Sequence, residues 1–286
     1  MIWVVSVSHY FQPLNEPAAL PALDDELKNV CREPLRRIDR FIQLALLGSA
    51  RCAAGRSLQP DCGIYLGSGL GPMSNNIATQ EQLIRAALIP KPFNFINTLG
   101  SGAGFYVARN LGLHGQNLFI SRRGASFTAL LTVAAADLSL GVVRQALVGV
   151  VEEATLPLTE HRARQHLPED MPLAEGSHWL LLQTGADGRG SLEVRRYPEY
   201  AELETFLKSA WRTGDRVCCA GDMASRAAQM LMQRFPDAAP AESHVAFHDS
   251  LDAARVTGFA VSQPHASLFL VNGNFECGWE LFHFRA

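Results

Sequence analysis

Two hydrophobic periods alternate along this chain. Short runs rich in β-branched and aromatic residues at 1–8, 62–67, 117–121 and 146–151 read as strands, and longer runs near 34–54, 77–88, 99–111 and 125–140 carry the spacing of helices. The segment from Leu156 to Gly176 breaks the pattern with Pro, charge and His, and reads as a connection. Beyond it the alternation resumes, with strands near 178–183 and 191–196, a helix near 199–212, a strand at 216–220, a helix at 222–234 and a terminal hairpin. The pattern predicts an α/β protein with a first half at 1–155, a connecting segment at 156–176 and a second half at 177–286.

Two Gly-rich stretches, Gly67-Ser-Gly-Leu-Gly71 and Gly100-Ser-Gly-Ala-Gly104, could be taken for ligand loops. The first misses the dinucleotide spacing because Gly71 comes one residue early, and no acidic residue ends a following strand in the required place. The second does not fit a Gly-x-Ser-x-Gly nucleophile turn. Both are expected to be tight turns with close backbone packing.

Composition narrows the function classes. A chain of 286 residues with 48% hydrophobic and 19% charged positions is globular, and it holds no apolar run long enough to span a bilayer. A formal charge of −3 offers no basic face for nucleic acid. Cys31, Cys52, Cys62, Cys218, Cys219 and Cys277 lack the spacing of a metal site or a disulfide framework, so neither metal nor cofactor is expected. Met1-Ile-Trp-Val-Val-Ser-Val7 starts directly as a strand, without a basic leader or cleavage site, and a cytoplasmic protein is expected.

The stretch Asn117-Leu-Phe-Ile-Ser-Arg-Arg-Gly-Ala-Ser-Phe-Thr, continuing through the apolar helix to Gly141 and on to Ala146-Leu-Val-Gly-Val-Val-Glu152, resembles the nucleophile region of β-ketoacyl synthases. Three more segments resemble that family in order: Pro34-Leu-Arg-Arg-Ile-Asp-Arg-Phe41 with its following helix, Cys62 to Gly71, and Pro92 to Asn117. The resemblance implies a thiolase-like αβαβα architecture, with a complete first half and a trimmed second half. Counting back from Gly141 across the family's ungapped interval places Gly124 where the catalytic Cys would stand, and Val150 replaces a Gly of the family pattern. A helix N-terminus lowers a thiol's pKa, which is why the family keeps Cys there; Gly has no atom to offer. Ser126 is the nearest hydroxyl, inside the helix with no evident base beside it.

The second half departs further from the family. Ala220 stands where the first of two family histidines is expected. His248, in Phe247-His-Asp-Ser-Leu-Asp-Ala-Ala254, is a candidate relic of the second, in a Gly-His-x-x-Gly-Ala loop; the alternative is a capping or surface His. Asn272 and Gly278 are what remains of the family's last hairpin.

The resemblance therefore implies a chain length factor, the non-catalytic subunit that pairs with an active β-ketoacyl-ACP synthase and meets the acyl carrier protein through that complex. Length points to the short members of bacterial aryl polyene pathways. The partner would add along Asn117, Leu118, Phe119, Ile120 and Ser121, with Arg122 and Arg123 beside the vacated site. Phe105, Tyr106 and Arg109 occupy the helix that reaches the chain tunnel in the family. Competing readings are a malonyl-ACP decarboxylase using His248, an acyl-carrier or lipid-binding homodimer, and an inert structural relative.

Overall fold

Alternating burial along Ile2–Leu14 marks the first strand, β1, and a run of buried residues at Gly63–Gly67 marks β2. The computed structural model describes residues 1–14, 19–32, 38–185, 188, 190–221, 223–235, 239–240, 246–263, 266–274 and 278–285. Between β1 and β2 lie α1 (Asp24–Val30) and α2 (Arg40–Ala53); then follow α3 (Met73–Gln80), a π-helical turn (Glu81–Arg85), α4 (Pro92–Ile96), α5 (Ser101–Leu111), β3 (Asn117–Ile120), α6 (Ser126–Leu140), β4 (Gln145–Glu152), α7 (Leu158–Arg164) and β5 (Leu173–Thr184). The second half runs β6 (Gly190–Tyr197), α8 (Tyr200–Ala210), β7 (Arg216–Ala220), α9 (Ala224–Arg234), β8 (Ala239–Pro240), α10 (Leu251–Ser262), β9 (Leu268–Asn274) and β10 (Gly278–Arg285). The segment expected to be a bare connection thus contains α7 and the first residues of β5, whose polar sequence hid its burial.

The strands form one hydrogen-bonded sheet in the order β3-β2-β4-β5-β1-β6-β10-β9-β7-β8. Read outward from the central β1–β6 contact, each half has the same strand sequence: first, fifth, fourth, second, third. In each half the fifth strand runs antiparallel to both neighbours. The first and sixth strands pair antiparallel through Ile2–Leu192 and its neighbours, as a pseudo-twofold axis between the halves requires. The second half keeps all five strands, β7 as long as β2 and the other four shorter than their counterparts, β8 being two residues long.

Three apolar clusters stack the layers. One holds Phe41 and Leu44 of α2 and Val107 of α5 against Ile64 and Trp179 of the first half of the sheet. A central cluster holds Leu130 and Leu131 of α6 and Val256 of α10 between strands of both halves. A third packs Leu203 of α8 and Leu231 of α9 onto Phe269 and Leu281 of the second half. The layers are therefore αβαβα, as expected.

Local chemistry explains the motif before α2. The Asp39 carboxylate accepts from the Ile42 N–H at 2.9 Å and caps the helix. Arg40 forms a bidentate pair with the fully buried Glu175 and donates to the Pro21 carbonyl at 2.6 Å, while Phe41 is buried in the core. Pro34 to Arg37 of the same motif lies outside the described residues.

Candidate functional site

The N-terminus of α6 is held by a tight turn. The Ala125 N–H donates to the Arg122 carbonyl at 3.0 Å and the Ser126 N–H to Arg123 at 3.1 Å. Arg123 sits at φ 50°, a left-handed conformation costing a non-glycine residue of order 1 kcal/mol, of the kind that gathers at functional sites. At the other end Gly141 closes the helix at φ 72°, the residue from which the sequence count to Gly124 is made. Gly124 is exposed, and a side chain built on it would meet one atom within 4 Å, the Asp249 backbone oxygen at 3.5 Å. Neither φ nor space requires glycine there.

Ser126 is fully buried and fully employed. Its hydroxyl accepts from the Arg122 N–H at 2.9 Å and lies 2.7 Å from the Arg123 carbonyl and 3.0 Å from the Ser68 carbonyl. It braces the turn against the Gly67–Gly71 loop, with no base among these partners.

Glu152, at the end of β4, ties the site together. Its carboxyl group accepts from the Gly69 N–H at 2.6 Å, the Ser68 hydroxyl at 3.0 Å and the Ser250 hydroxyl at 2.5 Å. Burial, reinforced by the Asp249 charge, pushes its pKa up to about 8 in spite of these donors. Glu153 is likewise raised to about 8 by burial, and accepts from the N–H and hydroxyl of Ser74.

The loop from Phe247 to Ser250 faces α6 with Asp249 and not with His248. Asp249 packs on Gly69, its Cγ 2.8 Å from where a side chain on Gly69 would begin. Asp249 Oδ2 is buried without a hydrogen-bond partner, and burial raises its pKa while Arg123 lowers it. Asp249, one residue along from the candidate His248, is thus the side chain of this loop that packs against the Gly67–Gly71 turn.

His248 is 4% exposed and is no surface residue. The Ser250 N–H donates to its Nδ1 at 3.2 Å, so the neutral ring carries its proton on Nε2, which lies 3.2 Å from Nε2 of His178. His178 is then protonated on Nδ1, 3.2 Å from the Thr257 hydroxyl oxygen, which also sits 2.9 Å from His9 Nδ1 and donates to the Ala253 carbonyl at 2.8 Å. The His248 proton is thus committed to a network joining β1, β5 and α10. Ala220, at the end of β7, is buried in the central cluster and offers no polar atom.

The predicted interface strand β3 lies at the edge of the sheet and pairs with β2 alone among the described strands. Asn117, Ser121, Arg122 and Arg123 are exposed, while Leu118, Phe119 and Ile120 are half-buried, Phe119 lying edge-on to Phe41. Phe105 is exposed and meets Tyr106 edge-on at 5.6 Å; Tyr106 is half-buried and Arg109 exposed. Those three do not line the open cavity of about 640 Å³ nearby, which is walled by Asp39, Asn75, Lys91, Phe93, Asn94 and Asn97. The excursion before α5 also exposes large apolar side chains, among them Ile84, Leu88, Ile89, Phe95, Ile96 and Leu99. Sequence reasoning missed this surface; the signal was an apolar run at helical spacing that finds no core to enter.

Cys52, Cys62 and Cys218 are buried with pKa values pushed up to about 12, as inert thiols. Cys277 lies outside the described residues. No cluster fit for a metal ion occurs among the described residues, and no described helix is long and apolar enough to cross a membrane.

No protein-family model matches the sequence, and no curated protein does. Solved structures of similar fold include the ishigamide ketosynthase/chain length factor, at TM-score 0.73 and 14% identity over 99% of each chain. The type II polyketide complex AntDE:AntF, an acyl-carrier protein with its ketosynthase, gives TM-score 0.66 and 13% identity over 100% of this chain and 99% of that one. A β-ketoacyl synthase from Burkholderia phymatum STM815 gives 0.63 and 11% over 99% and 98%. The fold is the thiolase-like fold that ketosynthases and chain length factors share.

Proposed function

We propose that this chain is a non-catalytic chain length factor, which pairs with an active β-ketoacyl-ACP synthase and shapes the tunnel for the growing acyl chain. The observation that carries the reading is Gly124 at the head of α6, a well-formed turn with room for a nucleophile and none in it. Ser126 and His248 do not substitute, since both are tied into hydrogen bonds of the fold. A decarboxylase would need a donor aimed at the vacated position, and the His248 N–H is aimed at His178.

The pairing half of the proposal rests on the open edge of β3 and the apolar surface beside it. An unpaired edge next to exposed Ile84 and Ile89 is an aggregation hazard unless covered. The opposite end of the sheet is β8, where Pro240 removes a backbone donor. One end of the sheet is thus suited to strand addition and the other is not. An acyl carrier protein would reach this subunit through the complex. Within the class, the narrower proposal is a chain length factor of an aryl polyene pathway.

Co-expression with a ketosynthase encoded beside it should yield a one-to-one complex by native mass. Truncating Phe105 and Tyr106 to Ala should change the product chain length, because such side chains act as a floor worth roughly 1–3 kcal/mol per methylene. No complex, or unchanged products, would end this reading.

A further inference from the structure

We infer that the paired rings of His178 and His248 form an acid-sensitive latch, which holds the loop at 247–250 against β5 while both rings are neutral and releases it when either takes up a proton. The inference concerns this chain alone and does not depend on a partner.

Every ring nitrogen of the pair is already committed. Ser250 donates its backbone N–H to His248 Nδ1 at 3.2 Å, which fixes the ring proton on Nε2. That proton lies between His248 Nε2 and His178 Nε2, 3.2 Å apart. His178 then presents its own proton on Nδ1 to the Thr257 hydroxyl oxygen at 3.2 Å, and that hydroxyl donates to the Ala253 carbonyl at 2.8 Å. A second proton on His248 would meet the Ser250 N–H, and one on His178 would meet the His248 N–H, donor against donor. His178 is fully buried and His248 is 4% exposed, so neither ring swings into solvent while the loop is closed.

The groups around the pair do not relieve this. From β1, His9 reaches the same Thr257 hydroxyl with its ring centroid 4.9 Å from that of His178, and a charge gained there disfavours one on His178. On α10, burial holds Asp252 up to about 7 beside the Arg255 cation, and on β4 it holds Glu152 up to about 8. At about pH 6 both carboxyl groups keep their protons and supply little charge to balance an imidazolium. Cys218 of β7, packed on the same helix, stays a neutral thiol, and Asp249 packs on Gly69 and faces Arg123. Opening the loop breaks the bonds from Phe247 N–H to the Pro172 carbonyl at 2.7 Å and from Ala174 N–H to the Phe247 carbonyl at 2.8 Å. It also withdraws Ser250 from Glu152 and Asp249 from Gly69, and so loosens the turn beside the head of α6.

The test is hydrogen exchange, read by mass spectrometry on the full-length parent and His248→Asn at about pH 7 and about pH 5, corrected for the intrinsic rate. Asn at 248 still offers an oxygen to the Ser250 N–H and carries no titrating ring. Glu152 and Asp252 oppose acid opening, because a closed loop keeps protons that an open one gives up, but they are common to both proteins and cancel from the comparison. The loss of protection at Phe247 and Ser250 between the two pH values should be at least about tenfold greater in the parent, with β2 equally protected in both. If Asn alone leaves the loop unprotected at about pH 7, His178→Gln/His248→Asn, whose two amides can bond one another, takes its place. Equal pH dependence in parent and variant, or a loss in the parent that β2 shares, would overturn the inference.

Discussion

Replacing Glu152 by Gln should make the protein more stable in mild alkali and no more stable in acid. The carboxyl group is held from its ordinary 4.5 up to about 8, chiefly by burial. Between those two values the folded chain keeps a proton that the unfolded chain has released. Stability is therefore fully present below about pH 4.5 and declines as pH rises through about 8. At roughly 1.4 kcal/mol per pH unit, the interval amounts to about 5 kcal/mol as an upper bound. Gln removes that loss but weakens the bonds donated by Gly69, Ser68 and Ser250, which is worth about 1–3 kcal/mol. The net gain expected at about pH 8.5 is about 2 kcal/mol, or about 4 °C in Tm for a chain of this size. Glu153 carries the same shift in both proteins and cancels from the difference. Thermal unfolding of both proteins at about pH 5.5 and about pH 8.5 measures the effect. An equal fall in Tm on substitution at the two pH values would show that Glu152 is an ordinary ionised hydrogen-bond acceptor, and the reasoning would fail.

Gly149→Ala should cost about 3 kcal/mol in urea unfolding or prevent folding, because its methyl group would lie 2.6 Å from Trp179 Cε2 in the core. Ile84→Asp/Ile89→Asp should leave the isolated chain within about 0.5 kcal/mol of the parent, since these side chains are 79% and 93% exposed. The same pair should weaken the complex with the synthase at least about tenfold by titration calorimetry; unchanged affinity would remove that surface from the interface. Ser126→Ala should lose about 1–2 kcal/mol of stability with its hydrogen bonds. The complex should still form product, and loss of turnover without loss of the complex would restore Ser126 as a nucleophile.

What could be read from the sequence was local. The strand–helix alternation places β2, β3, α6, β4 and β7 to within a residue or two, because periodicity is a property of neighbours along the chain. Gly141 as a helix stop made the count to Gly124 possible, since an ungapped interval needs no knowledge of packing. The beginning of β5 was not legible, because Leu173 to Ser177 is buried by pairing with β1, a partner far away in sequence.

Tertiary structure decided which side chain faces the site. His248 and Asp249 are adjacent, and no one-dimensional pattern distinguishes them; the choice is made where His248 meets His178 on β5 and Asp249 meets Gly69. The acid strength of Glu152 was equally hidden, since burial arises only when β4, the Gly67–Gly71 turn and the head of α10 close around it. The apolar run at Ile84 to Leu99 reads as core from its composition alone, yet Ile84, Leu88, Ile89, Phe95, Ile96 and Leu99 are exposed in the fold. A sequence states what each segment prefers, whereas burial, charge and exposure belong to the contacts between segments.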